Sequence, residues 1–328
     1  MKLIRLVQKA TEMPVLSSFY RLYKRYKNRE YKVSYGGENP NLTFYIYGQD
    51  DDRGGLWWTI NKVLMHIGYA VDKGYIPVVD MQNYYSQYQN EGDLHNINTW
   101  ERFFKQPCGY TLNDIKNSRN IIIASKIAAP QDFYLMGNQN FYDNPAKLAY
   151  FRTLFKNYIF FNNNVQGYLD DLVKNKLGSN RVLGVLCRGT DYLKLKPKGH
   201  PVQPDPNDVI NKCKEIATMK DCSHVFLATE DKNILESFKI AFKDKLIYLE
   251  QERASQEQLD GNVYLASVYR NRNCDKYEMG LNYLAAIYLL SKCSCFIGGR
   301  TGGTKGVLLL RNQQDFDYTY IYNLGIYQ

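Results

Sequence analysis

Four short stretches of this chain carry residue types that could do chemistry on a phosphate-bearing ligand. The richest is Cys187-Arg188-Gly189-Thr190-Asp191-Tyr192, which places an arginine, a glycine, a hydroxyl and a carboxylate side by side. The others are Thr229-Glu230-Asp231, the glycine-rich Gly298-Gly299-Arg300-Thr301-Gly302-Gly303-Thr304, and Gly48 to Gly55, which ends in Gly54-Gly55. An arginine fork can pair with two oxygens of a diphosphate at once. Backbone amides from Thr301 to Lys305, at the start of a helix, can take further phosphate oxygens. A carboxylate such as Glu230, Asp231 or Glu278 can accept from ribose hydroxyls or a purine edge. Any one such turn is weak evidence, because Gly and Asp are common in strand–helix loops. Three in the second half, each after an apolar run, are better evidence, because a nucleotide needs convergent groups.

The elements around these stretches explain why they would converge. Val182 to Leu186 is a short, β-branched apolar run, and it delivers Arg188 to the carboxyl end of a strand, where open α/β sheets bind ligands. Strands are expected at 42–47, 76–80, 120–125, 182–187, 224–228, 246–249, 293–297 and 317–322. Helices are expected at 56–71, 98–104, 144–173, 208–218, 233–242, 277–291 and 305–310. Strand and helix alternate, which predicts α/β architecture with parallel sheets. With 328 residues there is room for two such domains facing a cleft. The expected division is a basic amphipathic lead-in at 1–35, an acceptor-side domain at 36–178 and a nucleotide-binding domain at 179–328. Leu193 to Pro206 carries three lysines, His200 and four prolines, and reads as a stiff basic loop rather than a helix.

Bulk properties narrow the partners. The net charge of +9 favours anionic ligands, yet there is no basic repeat or nucleic-acid motif, so nucleic acid is not expected. The seven unevenly spread cysteines read as reduced intracellular thiols, with Cys293 and Cys295 as small buried residues. No signal peptide or membrane-length apolar run is visible, so the chain reads as cytoplasmic. Its first 35 residues interleave Phe19, Leu22 and Tyr23 with Arg21, Lys24, Arg25, Lys27 and Arg29. That pattern fits either a helix lying on the inner face of a cell membrane or one packed on its own domain.

Two motif look-alikes are set aside. Gly-Gly-Arg-Thr-Gly-Gly-Thr-Lys-Gly at 298–306 is not a P-loop, because Thr304 separates Lys305 from the glycine and Gly306 stands where a magnesium-binding hydroxyl should be. Asp50-Asp51-Asp52 has the D-x-D spacing of metal-dependent glycosyltransferases, but it sits in the half opposite Arg188 and reads as a solvated turn or an acceptor edge. No metal centre is expected.

The 187–192 stretch resembles the first signature of the GDP-fucose-dependent fucosyltransferase superfamily. Val225 to Asp231 is similar to its second signature. The run from Tyr277 to Thr304 resembles the third, and Gly54 to Leu64 holds the place of its N-terminal glycine loop. The resemblance spans roughly residues 42–310. It implies a GT-B fold, two Rossmann-like domains with a metal-independent donor site mainly in the second. It implies that Arg188 binds the donor β-phosphate and assists departure of GDP, and that Asp191 holds the arginine loop in shape. Gly54, Gly55, Thr190, Thr229, Glu230, Asp231, Glu278, Thr301, Gly302, Gly303 and Thr304 would line the donor. Two features depart from the pattern. Cys187 replaces the usual histidine, and Leu193 to Pro204 holds no carboxylate to deprotonate an acceptor hydroxyl, which leaves His200 as the conventional base there. The expected activity is transfer of a sugar, foremost fucose from GDP-fucose, to a glycan or lipid-linked glycan hydroxyl in bacterial surface polysaccharide or glycoconjugate synthesis. The alternatives are a binding protein without turnover and a GT-B transferase with another nucleotide sugar.

Overall fold

A computed structural model describes residues 29–48, 55–125, 141–188, 190–254, 275–311 and 315–328. The lead-in before residue 29, the Asp50–Asp52 run, Gly54 and Gly189 lie outside the described residues. The sheets fall on either side of residue 178. The first holds β1 (Tyr31–Val33), β2 (Phe44–Tyr47), β3 (Ile76–Val79) and β4 (Ile121–Ile123) in the order β1-β4-β2-β3. The pairs β2–β3 and β2–β4 are parallel, and β1 lies antiparallel along β4. The second sheet holds β5 (Val182–Leu186), β6 (His224–Ala228), β7 (Leu246–Ile247), β8 (Cys295–Gly299) and β9 (Tyr318–Tyr322) in the order β7-β6-β5-β8-β9, all parallel. The alternation read from the sequence is therefore realised as α/β architecture.

The second sheet matters most for the site. Its chain starts in the middle at β5, runs out to β7, then returns to the other side of β5 as β8. The connections leaving β5 and β8 therefore part in opposite directions, and a crevice opens at their carboxyl ends. Arg188 follows β5 and Arg300-Thr301 follows β8, so the topology brings two of the polar turns to one crevice. The central strands β5, β6 and β8 are buried on both faces. Leu183, Val185, Cys295 and Ile297 pack on one side against α6 (Pro206–Met219) and α7 (Lys232–Phe242). The other face meets α8 (Lys276–Lys292) and α9 (Gly302–Leu310), whose residues are mostly buried. Near-continuous apolar runs are what a doubly covered parallel strand requires.

A contact between helices joins the halves. Helix α1 (Leu56–Asp72) covers the first sheet and buries residues on nearly all sides, and its Trp57 lies flat against Gly306 of α9. Any side chain at Gly306 would overlap the indole ring. Helix α3 (Pro145–Tyr158) supports the same layer, and its Arg152 donates Nε–H to the Leu308 carbonyl at 2.8 Å. One apolar cluster thus runs from Tyr45 and Trp57 through Phe151 and Leu154 to Leu284, Val307 and Phe296.

Three local expectations are corrected. The run 144–173 is not one helix. It breaks after Tyr158 and restarts as α4 (Asn163–Leu172), followed by a π turn at Val173–Leu177. Asn162 makes the break by capping α4 through Val165 N and by donating to the Glu101 and Arg102 carbonyls. The stretch after Asp191 is not wholly a loop, because Thr190–Leu195 forms the short helix α5 ahead of the proline-rich segment. The lead-in does not stay helical to residue 35, since Tyr31–Val33 pairs as a strand with Ile121–Ile123. A small helix α2 (Thr99–Phe103) completes the described elements.

The Trp57–Gly306 contact is directly testable. Alanine at 306 gains about 1 kcal/mol of helix propensity, but it must displace an indole that is fully buried. Overpacking of this kind costs about 1–3 kcal/mol. Gly306→Ala is expected to lower the midpoint of urea unfolding with an unchanged slope.

Candidate functional site

The crevice is built from the ends of β5 and β8, the N-terminal ends of α1 and α9, and one face of α8. Arg188, two residues past β5, lays its guanidinium on the ring of Tyr192, 4.4 Å from the centroid. Tyr192 stands on α5 and meets His200 edge to face, with ring centroids 5.4 Å apart and Oη 3.2 Å from Nδ1. The arginine, tyrosine and histidine form one stack. The first and last were expected at the site, and Tyr192 connects them. His200 is exposed, and partial burial followed by the Arg188 charge lowers its pKa, so the ring is held toward its neutral, basic form. The C-terminal segment fixes its backbone. Tyr327 N donates to the His200 carbonyl at 2.9 Å, and Gly199 N donates to the Tyr327 carbonyl at 2.8 Å. The cation–π contact helps to orient the Arg188 guanidinium.

Helix α9 supplies the opposite wall. Thr301 is its N-cap, with Oγ1 accepting from Thr304 N at 3.1 Å. The amides of Gly302 and Gly303 have no acceptor among the described residues, so the helix opens on two spare donors and its positive dipole end. Tyr283 of α8 stands beside them. A side chain at Gly303 would meet its hydroxyl at 3.2 Å, and one at Gly55 would meet its ring at 3.3 Å. Burial raises the Tyr283 pKa, Glu230 adds to the rise and Arg188 opposes it. The starts of α1 and α9 thus flank one tyrosine hydroxyl.

The predicted donor residues divide on this geometry. Gly55 and Gly303 meet at Tyr283, Thr301 and Gly302 begin the same helix as Gly303, and Arg188 and Glu230 act on the Tyr283 hydroxyl through their charge. Thr304 does not face a ligand. Its side chain is fully buried and donates to the Gly299 carbonyl, locking the turn. Asp231 caps α7 by accepting from Asn233 N and Ile234 N, and Thr229 is buried with Oγ1 accepting from Asp231 N at 3.3 Å. These residues shape the β6 turn rather than line it. Glu278 is exposed beside Tyr168 of α4. It lies five residues from Tyr283, about 140° around the helix at 3.6 residues per turn, and so faces away from the crevice. Thr190 and Asp191 lie on α5, next to Tyr192.

Sequence reading missed several residues. Arg300, nearly buried, makes a bidentate pair with Asp143, both contacts 2.8 Å, and stacks over Tyr142 at 5.2 Å. Tyr142 Oη donates to the Thr301 carbonyl at 2.8 Å. The segment 141–143 therefore braces the β8–α9 turn from a part of the chain more than 150 residues away. Lys305 is buried next to Phe141, and desolvation with the nearby Lys147 charge lowers its pKa to about 8. Arg300 stood in the quoted turn, and its type was the available signal. Tyr283 is one of 29 tyrosines, and its sequence context does not set it apart. Among the described residues no cluster of His, Cys, Asp or Glu has the grouping of a metal site, and no helix is long and apolar enough to cross a membrane.

Comparison with known proteins bears on the fold. No protein-family profile matches the sequence, and no curated protein matches it. The structure of POFUT1 in complex with GDP-fucose is similar over 87% of this chain and 99% of that one, at 11% identity and a TM-score of 0.52. The fucosyltransferase NodZ from Bradyrhizobium is similar over 81% of this chain and 92% of that one, at 15% identity and a TM-score of 0.45. The near-complete coverage of POFUT1 at a TM-score above one half shows that the chain has the same fold, the GT-B α/β architecture.

Proposed function

We propose that this chain is a glycosyltransferase that moves a sugar, foremost fucose from GDP-fucose, to a hydroxyl of a glycan acceptor. One observation carries the reading. At the carboxyl ends of the paired strands β5 and β8, an arginine held on Tyr192 follows one strand and α9 opens its N-terminus after the other, with His200 edge to face on the tyrosine that holds the arginine. That arrangement suits a leaving diphosphate and an incoming hydroxyl. The POFUT1 structure with GDP-fucose supports the donor class through its shared fold.

The chemistry follows from charge. As the bond from the anomeric carbon to the diphosphate oxygen breaks, the sugar becomes oxocarbenium-like and negative charge grows on GDP. Arg188 and the Gly302 and Gly303 amides meet that charge as fixed donors, which favours the transition state over the ground state. These groups suffice for the leaving group, so the proposed route uses no metal. On the acceptor side, His200 with Nδ1 protonated and donating to Tyr192 presents Nε2 as the base. It takes the hydroxyl proton as the oxygen bonds to the anomeric carbon. Residues 36–178 would form the acceptor side and 179–328 the donor side. The basic segment before residue 29 would hold a cytoplasmic enzyme at the inner face of a bacterial membrane, close to a lipid-linked glycan destined for surface polysaccharide or glycoconjugate. Glu230 would accept from the nucleoside, and Asp191 would support the arginine loop from α5.

A fixed charge-assisted donor of this kind contributes about 3–4 kcal/mol to the transition state. Arg188→Ala is therefore expected to lower kcat about 10²–10³-fold in a GDP-release assay with GDP-fucose and a glycan acceptor, with the unfolding midpoint near that of the parent. Turnover close to the parent's would show that the diphosphate leaves elsewhere.

The base gives a separate signature. His200 is neutral above its pKa, and burial and Arg188 push that pKa below about 6.5, its ordinary value. The pH profile of kcat/KM should rise with unit slope from acid, with its midpoint below about pH 6.5. In Arg188→Ala, loss of the neighbouring charge should move the rise toward higher pH. His200→Asn should remove most of the activity, and a parental pH profile in that variant would assign the base to another group.

A further inference from the structure

The amide of Asn61 has no hydrogen-bond partner. Asn61 lies in the middle of α1, is fully buried, and among the described residues neither its Oδ1 nor its Nδ2 is bonded. Burying a carboxamide with both ends unmade costs about 1–3 kcal/mol or more, and native folds rarely keep such a group without a use for it. Its position gives the use. Nδ2 lies 4.0 Å from the point where a Cβ of Gly302 would sit, beside Trp58 N at 3.8 Å. Gly302 is the first residue of α9, the helix whose leading amides are spare. An unsatisfied donor and acceptor from the first half of the chain thus lie against an anion-attracting helix start in the second half.

We propose that Asn61 is a donor-binding residue contributed by the N-terminal half, whose amide closes on the nucleotide sugar at the start of α9. This deepens the proposed function and rests on it. The chemistry of the amide restricts the ligand class. Nδ2–H₂ needs an acceptor and Oδ1 needs a donor. The diphosphate of a nucleotide sugar offers acceptors alone at neutral pH, whereas the sugar hydroxyls beside it offer donors as well, so a phosphosugar can meet both ends of the amide. Because Asn61 is fully buried, entry of the ligand parts α1 from α9 locally, and the bound diphosphate then bridges the two helices. Donor binding would in that way report to both halves of the molecule at once.

The test is the opposed movement of stability and binding. Asn61→Leu keeps the volume and removes the stranded amide. Without ligand its thermal midpoint should rise above the parent's, and its affinity for GDP-fucose, by calorimetry, should fall about tenfold. Asn61→Asp keeps the shape and puts a negative charge beside the phosphate, and should bind GDP-fucose more weakly than Asn61→Leu does. It also serves if the leucine variant does not fold. Parental affinity for GDP-fucose in the folded variants would overturn the assignment of Asn61 alone and leave the site standing. A parent chain that binds neither GDP nor GDP-fucose would instead overturn the reading of the site, and the role of Asn61 with it.

Discussion

The contact of Trp57 with Gly306 sets the geometry on which the rest depends. Two parallel sheets could be joined in many ways, and most would leave their polar turns far apart. Here α1 and α9 approach so closely that the indole of one lies on the backbone of the other. Both helices begin at the crevice, so the same approach brings Gly55 and the Gly302-Gly303 amides to either side of Tyr283. The glycines serve two purposes along α9. At 302 and 303 they leave the helix start open, and at 306 the missing side chain lets the helices meet. Asn162 and the segment 141–143 reinforce the same layer from outside, by ending one helix early and by tying Arg300 and Thr301 in place.

Electrostatics then divide labour among the cations around the crevice. Arg188 rests on an aromatic face, which helps to orient its guanidinium. Arg300 is instead bound bidentately to Asp143 and holds the turn. Lys305, buried behind the turn, has its charge weakened by desolvation and by Lys147. The two arginines occupy equivalent places, each just past a central strand, Arg188 against the Tyr192 ring and Arg300 against Asp143 and Tyr142. His200 belongs with Arg188, because part of its lowered pKa comes from that charge. A histidine held toward its neutral form thus sits near a permanently charged guanidinium.

Much of this was legible in the sequence because parallel strands and helix starts leave local marks. The apolar runs read at 182–187, 224–228 and 293–297 gave their strands to within about two residues, and polar turns follow the two strands that flank the crevice. Arg188 and His200 were singled out by residue type and position, and the structure sets both against Tyr192. What failed was whatever depended on distant partners. Asn162 stops a helix because of carbonyls some 60 residues away. Thr304 and Asp231 looked like ligands, but each satisfies a neighbouring backbone group, which hydroxyls and carboxylates at helix starts commonly do. Glu278 had a suitable type on the wrong face of its helix. Tyr283 and Asn61 carry no motif, and only the packing of α1 against α8 and α9 shows their place.

The central claim is that the crevice between β5 and β8 is a donor pocket for a guanine nucleotide sugar. Thermal unfolding of the parent chain with GDP, UDP, CMP and their sugars tests it most directly, because a ligand that binds only the native state stabilises by about 2.7 kcal/mol at one hundred times its dissociation constant. The account predicts a rise in midpoint with GDP and a larger or equal one with GDP-fucose, and none of that size with UDP or CMP compounds. A rise with UDP or CMP compounds and none with GDP would contradict it.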